Sequence, residues 1–131
     1  MLTELRETRR LWRSSRFAWA EADCVLSVAD HVRRVTGIDP AAPWRGRYAE
    51  AEGAAALAAE FGGVLGLARH AMALAGIREG ERGEGRPVVV ELAGREIAGL
   101  DLGPALGNRV MLRLERGLID WPAPVLGAWE L

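Results

Sequence analysis

Apolar residues recur at helical spacing through roughly the first 78 positions, and after about residue 86 they fall into short β-type runs. Leu2, Leu5, Leu11 and Trp12 form a loose helical stripe that ends near Arg13, with Thr3 as its expected N-cap. Val25, Val28, Ala29, Val32 and Val35 predict a second, core-facing helix that starts at Asp23 and stops at Gly37. Asp39-Pro40 opens a loop in which Trp44 and Tyr48 are the expected anchors. Ala49 to Phe61 is alanine-rich and helical, with Gly53 as a weak point. Gly62-Gly63 breaks it, and Val64 to Ala75 gives a further helix that ends at Gly76.

Glu79 to Arg86 is polar and glycine-rich, so it reads as an exposed loop. Three strand-type runs follow: Val88 to Val90, Glu96 to Leu102 and Arg109 to Leu114. Ala93-Gly94 and Gly103 to Asn108 are the turns between them. Val125 to Leu131 can form a last strand. Helices first and a small antiparallel sheet second is an α+β order, expected as one domain with a helical part over about 1–78 and a sheet part over about 86–131.

Composition narrows the picture. The chain has 131 residues, half of them hydrophobic, and a formal net charge of −1, which fits a globular core and not a disordered or nucleic-acid-coating chain. No apolar run reaches the roughly 18 residues a membrane span needs. The N-terminal stretch lacks the apolar core of a signal peptide. A single cysteine leaves no internal disulfide. Five arginines between Arg6 and Arg16 make either a solvated helix face or a phosphate-binding patch. Gly80, Gly83 and Gly85 do not lead from a strand into a helix, as a phosphate-binding loop requires. Trp121, beside prolines, packs on its own domain or docks a partner.

The candidate chemistry centres on Cys24 at the first turn of the second helix. Free helix N–H groups favour a thiolate there, although a lone cysteine also serves as a small buried hydrophobe. A cysteine nucleophile needs an imidazole beside it. His31 lies seven residues further on the same helix, about 10 Å along its axis, out of reach while the helix is straight. It reads as a hydrogen-bonded structural histidine or a partner of Asp30. His70, on a separate helix, is the only other base the chain offers. No paired Cys-x-x-Cys spacing suggests a metal, and neither metal nor cofactor is expected.

The order Phe17-Ala18-Trp19, Asp23-Cys24, Thr36-Gly37, Asp39-Pro40 and Arg45-Gly46-Arg47-Tyr48 resembles the nucleophile segment of NlpC-type cell-wall peptidases. These are small papain-like cysteine hydrolases that cut peptide bonds in peptidoglycan. The resemblance is closer to a compact branch found in tailed phages, prophages and gene-transfer-agent-like particles. Val88-Val89-Val90, the segment Gly99 to Gly103 and the ending Ala128-Trp129-Glu130-Leu131 are also similar to that branch.

The resemblance implies a papain-like fold with Cys24 at the nucleophile position. It also marks departures. Ala20 stands where glycine is usual, Ala22 where histidine is frequent, and Arg86-Pro87 where an aspartate is expected. The base histidine of active relatives opens a His-x-Gly-hydrophobic strand. Here that run is Ile97-Ala98-Gly99-Leu100, and the third polar partner falls on apolar Val110 to Leu112. The expected role is therefore a structural or adaptor part of a phage-like tail, near its tip or baseplate, built on a degenerate peptidase. Its partners would be other tail proteins, and neither nucleic acid nor membrane. The alternatives are an active peptidase or amidase acting on peptidoglycan, with Cys24 and His70, or an intracellular binding domain without a virion role.

Overall fold

The computed structural model describes all 131 residues. Four helices come first: α1 (Thr3–Ser14), α2 (Cys24–Thr36), α3 (Ala51–Ala59) and α4 (Val64–Leu74). Five strands follow: β1 (Pro87–Leu92), β2 (Arg95–Asp101), β3 (Val110–Leu114), β4 (Gly117–Trp121) and β5 (Val125–Ala128). They form one antiparallel sheet in the order β4-β3-β2-β1-β5. The fold is α+β, with the helical and sheet halves divided where the hydrophobic period changes.

The central helix is α2. Asp23 caps its N-terminus by accepting a hydrogen bond from Leu26 N at 2.9 Å. Gly37 ends it in the left-handed region, at φ 79°, and its N–H bonds to Arg33 O. Its buried side chains are Leu26, Ser27, Val28, Ala29, His31 and Val32, which is broader than the predicted valine stripe. Val25 is only half-buried and Val35 is exposed. The reason is that α2 packs on β2, on β3 and on α1 at once, while Leu26 and Ala29 meet Ala41 of the following loop. A helix enclosed on three sides buries more than one stripe.

Strand alternation sorts the buried side chains of the sheet into two clusters. Ala98, Leu100 and Met111 join Val28, Leu5 and Trp12 on the helical side. Val88, Val90, Ile97, Val110 and Leu112 join Ala123 and Ala128 in a second cluster. Gly99 has to be glycine, because an added Cβ would lie 2.6 Å from Leu112 Cδ2 and 2.7 Å from Val110 Cγ1. The β1–β2 hairpin turns on Ala93 and Gly94, both at positive φ, the geometry a two-residue hairpin favours.

Three expectations need correction. Thr3 is the first helical residue and not a cap; Leu2 precedes it with no side-chain cap. Its backbone N–H is satisfied instead by Glu84 Oε1 at 2.9 Å. Strand β4 was not foreseen: its hairpin turns on Glu115-Arg116, and Gly117, which closes it at φ 140°, is the one usual turn residue there. The loop from Glu79 to Arg86 is irregular as expected, but it is anchored. Arg82 grips the buried Asp101 through two bonds of 2.9 and 3.0 Å, and residues 78–80 cover the outer edge of β5.

His31 is a buried structural histidine. Nε2 faces Gly85 O at 3.0 Å, so that nitrogen carries the proton. Nδ1 lies 2.6 Å from Thr8 Oγ1, which also accepts from Arg34 at 2.6 Å. Burial holds the imidazole below its ordinary value of 6.5, and the Arg34 charge adds to that. A depressed histidine contributes stability that is fully present above about pH 6.5 and is lost as pH falls toward the folded-state value. Chemical unfolding between pH 7.5 and 5.5 should therefore show a loss in the wild type that His31→Gln lacks. Equal losses in both proteins would contradict the assignment.

Candidate functional site

The residues before α2 form a tight turn that sets the position of Cys24. Ala22 N bonds to Ala18 O at 2.7 Å, and Ala20 sits at φ 69°, a left-handed conformation that disfavours a side chain. This is the position where the resemblance expected glycine. One carboxylate holds the turn together. Buried Asp23 accepts from Ala20 N at 3.1 Å and from Leu26 N at 2.9 Å, and it also accepts from the Tyr48 hydroxyl. Tyr48 is delivered by the loop after α2. There Arg45 bonds Asp39 at 2.7 Å and Asp30 at 2.7 Å, and Gly46 at φ 80° allows the chain to turn back. Burial and the Asp23 bond both push the Tyr48 phenol up, so it stays a donor.

Cys24 is the first residue of α2 and is half-buried. It opens on a cleft of about 1410 Å³ bounded by the α3–α4 half on one side and by the β1–β2 and β3–β4 turns on the other. Phe17 and Trp19 line it as an edge-to-face pair 5.0 Å apart. Most of the lining is apolar. Glu96 of the hairpin ties the far side, accepting from Leu65 N at 3.3 Å at the start of α4.

The thiol environment opposes ionisation. Removal from water pushes the Cys24 thiol up to about 11, against an ordinary value of 9.0. The adjoining Asp23 charge adds to the rise, while backbone N–H groups of Ala98 and Val25 and the Arg95 charge oppose it. The helix N-terminus, expected from the sequence to favour thiolate, is outweighed by burial. At neutral pH the sulfur is a thiol.

No imidazole attends it. His31 is held by Thr8 and Gly85. His70 is exposed and packs against Phe61 at 4.9 Å and Trp44 at 5.8 Å, centroid to centroid. Neither histidine lines the cleft or hydrogen-bonds to the sulfur. Instead, Cys24 packs against the cluster that contains Ile97, the residue at the expected base position. His, Cys, Asp and Glu side chains form no group of three that could hold a metal ion. No helix is long and apolar enough to cross a membrane.

Sequence reasoning missed Arg113. On β3 the search for a polar partner stopped at Val110 to Leu112, but the next residue is an arginine only 5% exposed. It reaches Ser27 Oγ at 3.3 Å and Ser15 Oγ at 2.7 Å, not the Cys24 sulfur. The one available signal was a charged residue inside an otherwise apolar strand.

The model of a family described as a domain of unknown function, DUF6950, matches residues 2–131. No curated protein and no solved structure matches the chain.

Two outcomes follow from the geometry around Cys24. Alkylation by iodoacetamide at pH 7.4 should run about 100-fold slower in the folded protein than in the unfolded chain, and should accelerate as pH rises toward 11. An equal rate in both states contradicts a protonated thiol. Ala20→Gly should raise stability by about 0.5–1 kcal/mol in chemical unfolding, because it relieves the left-handed alanine. A loss of stability contradicts that strain.

Proposed function

The chain belongs to the DUF6950 family, and we propose that it is a catalytically silent domain of papain-like, NlpC-type ancestry that serves as a structural or adaptor part of a phage-like tail. The observation that carries the silent half of this reading is the sulfur of Cys24. It is protonated at neutral pH, it has no imidazole beside it, and it packs on the cluster containing Ile97. Without a base there is no thiolate–imidazolium pair and no proton for a leaving amine.

The ancestral half rests on how the resembling residues are used. A nucleophile-position cysteine heads a helix laid on an antiparallel sheet, and the run Ile97-Ala98-Gly99-Leu100 lies on the strand beneath it. Asp23, Arg45, Gly46 and Tyr48 are engaged with each other or with the loop, so these residues support a scaffold whether or not chemistry survives. The tail role, near the tip or baseplate, follows from the sequence resemblance alone.

Incubation with soluble peptidoglycan fragments, beside Cys24→Ala, tests the silent reading. We expect no cleavage by either protein. Cysteine-dependent release of peptides would instead establish a working peptidase or amidase, and loss of that release in His70→Ala would identify the base. For the tail role, we expect the protein in purified particles from a host that makes them. Its presence only in the cell extract would favour an intracellular binding domain.

A further inference from the structure

The Cys24 cleft carries a charge that the fold does not neutralise. Arg113 is 95% buried by surface, since only 5% remains exposed, yet no carboxylate lies within ion-pair distance. Its two hydrogen bonds go to neutral hydroxyls, Ser27 at 3.3 Å and Ser15 at 2.7 Å. The nearest acid that acts on it, Asp30, is already held by Arg45 at 2.7 Å. Burial accordingly weakens the hold of Arg113 on its proton. A guanidinium has five donors, so three stay free after the two serines are served.

Buried charges in proteins are paired, or they are retained where they meet a ligand. Arg113 lines the same cleft as Phe17, Trp19 and Cys24, where most of the walls are apolar. Its N–H fork matches a carboxylate in two-point geometry, and a water-poor setting strengthens that contact. The two serines hold the guanidinium in place, so little freedom is lost when a ligand arrives. Of the charged residues along the cleft only Asp23 and Arg113 are buried, and Asp23 is already hydrogen-bonded within the fold. A mostly apolar cleft with a few convergent polar groups is the usual composition of a small-ligand site.

We propose that the cleft binds an apolar chain ending in a carboxylate, with the carboxylate on Arg113 and the chain against Phe17 and Trp19. Such a terminus can come from a fatty acyl chain or from the C-terminal end of a peptide. The site does not depend on the tail role or on the state of Cys24, because neither the sulfur nor a base takes part.

Calorimetric titration of the intact protein separates the possibilities. Sodium octanoate is compared with 1-octanol, and acetyl-Leu-Leu-Val as the free acid with the same peptide as its amide. At least one acid should bind tenfold or more tightly than its neutral counterpart, and the pair showing that preference identifies the source. Arg113→Gln should bring acid and neutral forms to equal affinity, while Arg113→Lys, which keeps the charge but loses the fork, should retain a reduced preference. The wild-type comparison stands even if the glutamine variant fails to fold. Equal affinity of acid and neutral forms in the wild type, absence of binding by all four, or a full acid preference in Arg113→Gln would each overturn the proposal.

Discussion

One carboxylate organises the part of the molecule from which everything else is placed. Asp23 receives the N–H of Ala20 from the preceding turn, the N–H of Leu26 from the first turn of α2 and the hydroxyl of Tyr48 from the loop beyond α2. Three separate stretches of chain are tied to a single side chain that is 1% exposed. Arg45 repeats the arrangement from the other sign of charge, drawing Asp30 of the helix and Asp39 of the loop together. Charge-assisted bonds of this kind are worth roughly 1.5–3 kcal/mol each, and an unpaired carboxylate buried in the same place would cost more. The loop therefore has little choice but to fold back over the helix it leaves.

That arrangement decides the chemistry of the neighbouring cysteine. A helix N-terminus lowers a thiol's proton affinity when the sulfur is wet or faces a cation. Here Asp23 already uses the free N–H of Leu26, and its own negative charge stands next to the sulfur. Burial then dominates. A helix position that would serve a nucleophile in another setting holds an inert thiol in this one. The difference lies first in burial, to which the charge of the capping aspartate adds.

Most of the secondary structure was legible because it is written in periodicity and in glycine. Gly37, the Gly62-Gly63 pair and Ala93-Gly94 end elements where the sequence placed breaks, and each contains a residue at positive φ. Strand β4 was missed although Gly117, at φ 140°, directly follows Glu115-Arg116 and closes the hairpin turn. The breadth of the buried face on α2 was hidden for a different reason. Ser27 and His31 are polar, and only their partners, Arg113 from β3 and Thr8 with Gly85, make burial tolerable. Cys24 and Asp23 were found from their place at a helix start. Arg113 was missed because its importance comes from enclosure, which no single-sequence pattern reports.

A double-mutant cycle between Asp23 and Tyr48 tests the central claim most directly. Unfolding free energies of the wild type, Asp23→Ala, Tyr48→Phe and the double variant would be compared by chemical denaturation. The account predicts that the two sites couple by about 1–3 kcal/mol, because each single change removes the same charge-assisted bond. Strictly additive losses would mean that the carboxylate does not join the loop to the helix, and would contradict the scaffold described above.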